Sequence, residues 1–255
     1  MQAFNPLKNA AFEYASCKMF LALKKGKVVG RVAAILHNAH NYKTGSRQIR
    51  FSRFDFIDDY EVSQALFNKV VEWARFLEMN EIVGPLGFSY MDKIGMLVEG
   101  FDEMDLYSTQ YNYFYYPKHM ERLGLQKKTD WVEFQVKVPD KMPEKLQRVA
   151  EATMKRYGYS VRTFDTKKEL LPVFKEVLPL LNDVINNLDS IAAISEKQMG
   201  DFAKITLPLL RKEFIIVVQN KENDVVGYGL MMPSISRGVR LGRGRLFPLG
   251  MLGIL

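Results

Sequence analysis

One pattern occurs twice in the chain, at residues 19–36 and again at 214–232. The first copy reads MFLAL, KKGK, VVGRVAAIL and the second FIIVV, QNKEND, VVGYGLMM. Each is an apolar, largely β-branched or aliphatic run, a charged turn, and a second apolar run. Such segments form antiparallel hairpins, because the strands bury their side chains while the turn stays hydrated. Both second strands begin Val-Val-Gly, at Gly30 and Gly227. A glycine inside a strand marks a bulge or a close backbone approach. One hairpin is common, whereas two with the same strand start point to a duplicated domain.

The sequence around the hairpins supplies the remaining elements. Residues 50–57 (RFSRFDFI) alternate apolar and polar and read as a strand. Asp58 and Asp59 then open a helix running to about residue 79, with Leu66, Val70, Trp73 and Leu77 at helical spacing. A short strand at 82–85, a loop rich in Gly and Asp leading to 106–109, the aromatic run 111–116 and a short helix ending near Gly124 follow. Residues 131–138 are expected to close the first half as a strand. Residues 139–143 read as a linker, and 144–157 as a helix stopped by Gly158. A strand at 160–164 and two helices, 167–187 and 195–211, precede the second hairpin; Pro172, Pro179 and Pro208 should shift or kink the helix ends. The fold class is therefore α+β with mixed sheets, in two units. The expected boundaries are a first domain at 1–138, a linker and helix at 139–158, and a second, incomplete domain at 159–255.

Charge narrows the partners. Of the net charge of +7, four positives come from Arg237, Arg240, Arg243 and Arg245; without them both halves are near neutral. The excess is local, so no broad nucleic-acid face is implied and a nucleic-acid partner is not expected. Cys17 is the single cysteine, which excludes an intrachain disulfide and argues against a cysteine zinc site. No apolar run approaches the roughly 18 residues that span a bilayer. A cytoplasmic setting without a membrane span is the expectation.

The local sequences RVAAILHNAHN, FDFIDDYEVSQALFNKVVEWA, EIVGPLGFS, GMLVEGFDE, YNYFYYPKHMERLGL and GRGRLFPLG resemble landmarks of bacterial tandem proteins of the GNAT superfamily, the acetyl-CoA-dependent N-acetyltransferases. The resemblance covers nearly the whole chain. It implies two GNAT-like units in tandem, each a largely antiparallel mixed sheet flanked by helices, and an acyl-CoA cosubstrate with no metal. In that family a loop patterned Arg/Gln-x-x-Gly-x-Gly/Ala brings backbone N–H groups onto the coenzyme's pyrophosphate at a helix N-terminus. Here the matching residues are Asp58, Asp59, Tyr60, Glu61, Val62 and Ser63, with three carboxylates and no glycine. The family's tyrosine, often the general acid, falls at Met120, which has no proton to donate. The first half is therefore expected not to catalyse. The second half lacks its fourth strand, glycine loop and tyrosine helix within residues 159–255. The chain is accordingly expected to be cut short at both ends, with catalytic elements beyond its end. No catalytic, cofactor-binding or metal-binding residue is assigned within it.

The other candidates each have a plainer reading. Tyr111, Asn112, Tyr115 and Tyr116 could line a substrate-binding or inter-domain groove, since aromatic faces with hydroxyls suit amphipathic ligands; packing between the units is the favoured alternative. His37 and His40 follow a strand, lack a spaced carboxylate for a metal and read as part of a structural loop. Asp92, Glu99, Asp102, Glu103 and Asp105 form an acidic loop that would attract an amine, or simply face solvent. The arginine cluster reads as a solvated Gly-rich loop. Three functions remain. The first is an acyltransferase using acetyl-CoA or another acyl-CoA on a small-molecule or peptide amine. The second is a non-catalytic tandem scaffold binding a ligand or partner. The third is a tRNA-dependent aminoacyl transferase, supported locally by the arginines alone. The acceptor and the oligomeric state are not readable.

Overall fold

The computed structural model describes residues 4–89, 91–104, 106, 109–186 and 193–243. The chain divides into two compact units. Unit 1 gathers Met1–Gln126, Ile185–Gln198 and Ser234–Leu255; unit 2 gathers Lys127–Val184 and Met199–Pro233. Each has its own sheet, of four and three strands respectively.

Unit 1 begins with a 3-10 turn, Ala10–Glu13, and the hairpin β1 (Ala15–Lys24) and β2 (Lys27–His37). The helix α1 (Asn38–Thr44) leads to β3 (Gln48–Phe56), α2 (Tyr60–Phe76), β4 (Glu81–Val83) and, after a long loop, α3 (Tyr116–Arg122). The order is β1-β2-β3-β4, antiparallel except for the parallel β3–β4 pair. The strand expected at 50–57 and the helix expected at 58–79 thus appear as β3 and α2. Leu66, Val70 and Trp73 bury α2 against Val32, Ala34, Ile49, Phe51 and Phe54 of the sheet, and Tyr116 and Met120 of α3 join that core. Burying each large aliphatic or aromatic side chain contributes about 1.5–3 kcal/mol, so this face carries the unit's stability. The opposite face of the sheet holds a smaller core of Ala11, Ala15, Ile35 and Phe88.

Unit 2 contains α4 (Glu144–Tyr157), β5 (Ser160–Arg162), most of α5 (Leu170–Asn186) and of α6 (Glu196–Thr206), and the hairpin β6 (Ile215–Gln219) and β7 (Val225–Leu230). Gly158, left-handed at φ 68°, ends α4 as expected. Pro179 lies inside α5, and Pro208 sits in the 3-10 turn Leu207–Leu209 that ends α6. Leu170, Val173, Phe174, Met199, Ala203, Leu210 and Val217 are buried. The sheet order is β5-β6-β7, and every pair is antiparallel, so among the described residues this sheet is not mixed. A last helix, α7 (Ser236–Leu241), falls in unit 1.

The duplicated pattern folds the same way twice. In the first hairpin Ala22 pairs with Gly30 and Leu23 with Val28, leaving Val29 as an extra residue. In the second, Val218 pairs with Gly227 and Gln219 with Val225, leaving Val226. Both bulges fall on the second valine of Val-Val-Gly, immediately before the glycine. A one-residue insertion at the same place in two ladders is a shared construction detail.

Three local expectations are corrected. Residues 131–138 form no strand and are exposed, although their alternation is strand-like; a strand requires a neighbour to take its backbone groups, and none is assigned beside it among the described residues. The segment after β2 is a helix, α1, rather than a loop. Its N-cap is the imidazole of His37, whose Nδ1 accepts from the His40 amide at 3.0 Å. The strand read at 160–164 is only three residues, Ser160–Arg162. The segment 106–109, Asp105 of the acidic loop, Arg245 and the apolar residues after it lie wholly or partly outside the described residues.

Candidate functional site

The chemistry of unit 1 concentrates where the end of β3, the start of α2 and α3 meet. β3 is bulged on its way there. Arg31 pairs with Asp55 but Ala33 with Ser52, so one residue of β2 faces two of β3, and Arg53 takes a left-handed φ of 49°. That conformation is costly for a side chain larger than glycine and persists only where the surroundings enforce it. The bulge re-aims the strand end toward α3.

Two tyrosines of the aromatic run hold this strand end. The Tyr115 hydroxyl donates to the Phe56 carbonyl at 2.6 Å, and the Tyr116 hydroxyl accepts from the Phe56 amide at 3.2 Å. Burial pushes the Tyr115 phenol up to about 12 and raises that of Tyr116, so both remain protonated at neutral pH. Asn112 is buried and latches the preceding loop, accepting from the Leu97 amide at 2.7 Å and donating to its carbonyl at 3.1 Å. Tyr111 is exposed, with its hydroxyl 3.3 Å from the Phe101 carbonyl. All four residues singled out by sequence therefore spend their polar groups on backbone.

A cavity of about 80 Å3 lies under Asn112 and Tyr116, with Ser52, Asp55, Lys93 and Met120 among its other walls. Several of its polar side chains are already engaged: Arg31 pairs with Asp55 at 2.6 Å and Lys93 donates to the Thr109 carbonyl at 2.7 Å. Met120 is buried in the core with α2.

The second cavity, about 180 Å3, holds the more reactive set. Asp58, Tyr60, Tyr115, Lys118, His119 and Arg122 line it, together with Phe114. His119 is bonded at both ring nitrogens, Nδ1 to the Ser63 hydroxyl at 2.8 Å and Nε2 to the Asp58 carboxylate at 3.0 Å. The Ser63 hydroxyl also lies 2.9 Å from the Tyr60 carbonyl. A carboxylate only accepts, so the Nε2 proton points to Asp58. With neutral imidazole, the serine hydroxyl donates to Nδ1. With imidazolium, Nδ1 donates to the serine oxygen and the hydroxyl turns to Tyr60. Both hydrogen-bond arrangements keep a full set of partners, so neither ring nitrogen is orphaned. Ser63 is fully buried, however, and Asp58 is the exposed end of the relay. This order is unsuited to a serine nucleophile.

The helix terminus beside this cavity is already filled. Asp59 caps α2 by accepting from the Glu61 amide at 3.1 Å, and the same carboxylate pairs with Lys24 at 2.7 Å. That hydrogen bond to Lys24 holds the Asp59 carboxyl below its ordinary value. An internal anion thus occupies the anion-attracting end of this helix.

His37 and His40 lie elsewhere, on the opposite face of the sheet. Both are buried; His40 Nε2 is 2.9 Å from the Gln48 amide nitrogen. Burial, then the charges of Arg50 and His40, pushes the His37 imidazole down to about 3. Among the described residues no group of three or more His, Cys, Asp or Glu side chains is placed to hold a metal.

Sequence reasoning passed over His119. Its spacing of four from Tyr115 on one helix face was a signal, but its partners Ser63 and Asp58 are 56 and 61 residues away.

No protein-family model matches the chain. It is similar to Protein YghO of Escherichia coli, 23% identical over 256 residues, which cover 97% of this chain and 63% of that protein. It is also similar to the bacterial ceramide synthase of Caulobacter vibrioides, 24% identical over 254 residues, covering 99% and 65%. The chain thus spans just under two thirds of the length of these curated relatives. Among solved structures, a tandem GNAT protein from the clavulanic acid biosynthesis pathway matches with a TM-score of 0.36 and 12% identity, over 84% of this chain and 58% of that one.

Proposed function

We propose that the chain is part of an acyl-CoA-dependent N-acyltransferase whose acceptor is a long-chain amine, and that unit 1 does not hold the coenzyme. The reaction class is supported by the GNAT resemblance of the local sequences and by the likeness, over nearly the whole chain, to a bacterial ceramide synthase. A ceramide is the amide of a fatty acid and a long-chain amino alcohol, so that name describes acyl transfer to an amine.

The role of unit 1 rests on one observation, the Asp59 carboxylate on the α2 N-terminus. A pyrophosphate would have to displace Asp59 from both Glu61 and Lys24 and then lie against it. The residues present do not fit the group there. The test is amide formation by the full-length protein with a long-chain acyl-CoA and a long-chain amino alcohol, read by mass spectrometry. Product is expected, with turnover of Asp59→Asn within about twofold of the parent, since a surface ion pair contributes little beyond local stability. No amide from any chain length of donor would overturn the reaction class. Loss of turnover in Asp59→Asn with unchanged folding would overturn the assignment of unit 1.

A binding role for unit 1 is favoured by the larger cavity. Lys118 and Arg122 outnumber Asp58 along its wall, and Tyr60, Phe114 and Tyr115 give it aromatic sides. Arg122 already stacks on Tyr60 at 3.6 Å, which pre-sets its guanidinium. At about 180 Å3 the cavity is smaller than a drug-sized site. It suits a small anionic head group, and Lys118→Ala should weaken such a ligand without altering the thermal midpoint.

A further inference from the structure

Residues 131–138 carry a period-two pattern with no assigned strand to answer it. Val132, Phe134, Val136 and Val138 alternate with Glu133, Gln135 and Lys137, and those four are 71, 82, 77 and 82% exposed, with Trp131 at 64%. A row of apolar side chains along one face of a short segment, left in water, is an unmet pairing surface.

The pattern also specifies what meets it. Turned about Gln135, the segment reads onto itself: Glu133 falls opposite Lys137, Phe134 opposite Val136, and Val132 opposite Val138. Other antiparallel self-registers lose this match. Centring on Glu133 or Lys137 sets like charges face to face; centring on Phe134 or Val136 leaves both charges without an opposite. A shift by half a step puts apolar residues against polar ones. Only the register about Gln135 joins apolar to apolar and acid to base at once.

We propose that residues 131–138 are a dimerisation strand, and that a second copy of this chain pairs with it antiparallel about a twofold axis through Gln135. The interface is isologous, so each charge pair occurs twice. A strand pair alone is small against the roughly 1,200–2,000 Å2 that stable interfaces bury. The helix that follows it, α4, has no buried residue and presents Leu146 and Val149, both more than half exposed, as further apolar surface.

Sedimentation equilibrium on the intact chain, with circular dichroism to confirm folding, tests this. The parent is expected to dimerise. Glu133→Lys and Lys137→Glu, by creating two like-charge contacts each, should each raise the dimer dissociation constant by roughly tenfold or more. The two single variants mixed together should form a heterodimer, and the double reversal should restore the homodimer. In a Cys17→Ser background, Gln135→Cys should cross-link to its own twin on mild oxidation, while Glu133→Cys should not. Four outcomes would overturn the proposal: a monomer well above micromolar concentration; a monomer that binds vesicles of anionic phospholipid through this segment; a dimer indifferent to both charge reversals; and no rescue on mixing.

Discussion

The hairpins β1–β2 and β6–β7 share a sequence pattern and a bulge at the same valine, yet the glycine after that valine meets different surroundings. A Cβ on Gly30 would lie 2.8 Å from Leu66 Cδ1 and 3.0 Å from the Asp55 carbonyl oxygen. On Gly227 its nearest neighbour would be Val218 Cβ, at 3.7 Å. α2 presses on the first hairpin; the second keeps ordinary space at the same point. A shared local pattern fixes the turn, the ladder and the bulge, while the elements packed on it decide which of its residues are irreplaceable.

The units are expected to differ most in acid. All three histidines, His37, His40 and His119, belong to unit 1. The His37 imidazole is held down to about 3 when folded, against an ordinary 6.5. Between those values the unfolded chain binds a proton that the folded unit refuses, so stability falls as pH drops through this window. The slope for this one group is about 1.4 kcal/mol per pH unit. Thermal scans from pH 7 to 4 should show unit 1 losing stability faster than unit 2, and His37→Gln should flatten that dependence. Parallel loss in both units would assign the acid sensitivity to carboxylates instead.

The glycines come next. Gly30→Ala forces a methyl against buried Leu66 and a backbone oxygen, and should cost about 1–3 kcal/mol in urea unfolding. Gly227→Ala should change stability by less than about 1 kcal/mol, because the added methyl meets only van der Waals contact. Equal costs would mean that the shared glycine does the same job twice. A smaller effect is expected from Ser63→Ala. It removes the Nδ1 partner of His119 and should cost about 1 kcal/mol, confined to unit 1.

Much of this fold could be read from local sequence. The hairpins, α2 and α4 announce themselves through periodicity, charged turns, the Asp59 cap and Gly158, all within a few residues of what they control. α1 did not, because its seven residues, NAHNYKT, have no apolar spacing and its cap is a histidine side chain. Residues 131–138 misled for the converse reason: alternation gives strand propensity, but pairing needs a neighbour. The candidate site was half visible. The aromatic run and the acidic helix start stood out, whereas the bonds that give them meaning join Phe56 to Tyr115 and Tyr116, and Asp58 and Ser63 to His119, across 56 to 61 residues.

The central claim is that the α2 N-terminus of unit 1 is closed by Asp59 and takes no coenzyme phosphate. Amide hydrogen exchange of the full-length protein, with and without saturating long-chain acyl-CoA, reads this directly. Unchanged exchange at Glu61, Val62 and Ser63, alongside ligand protection elsewhere in the protein, is the predicted result. Protection of those three amides by acyl-CoA would contradict it.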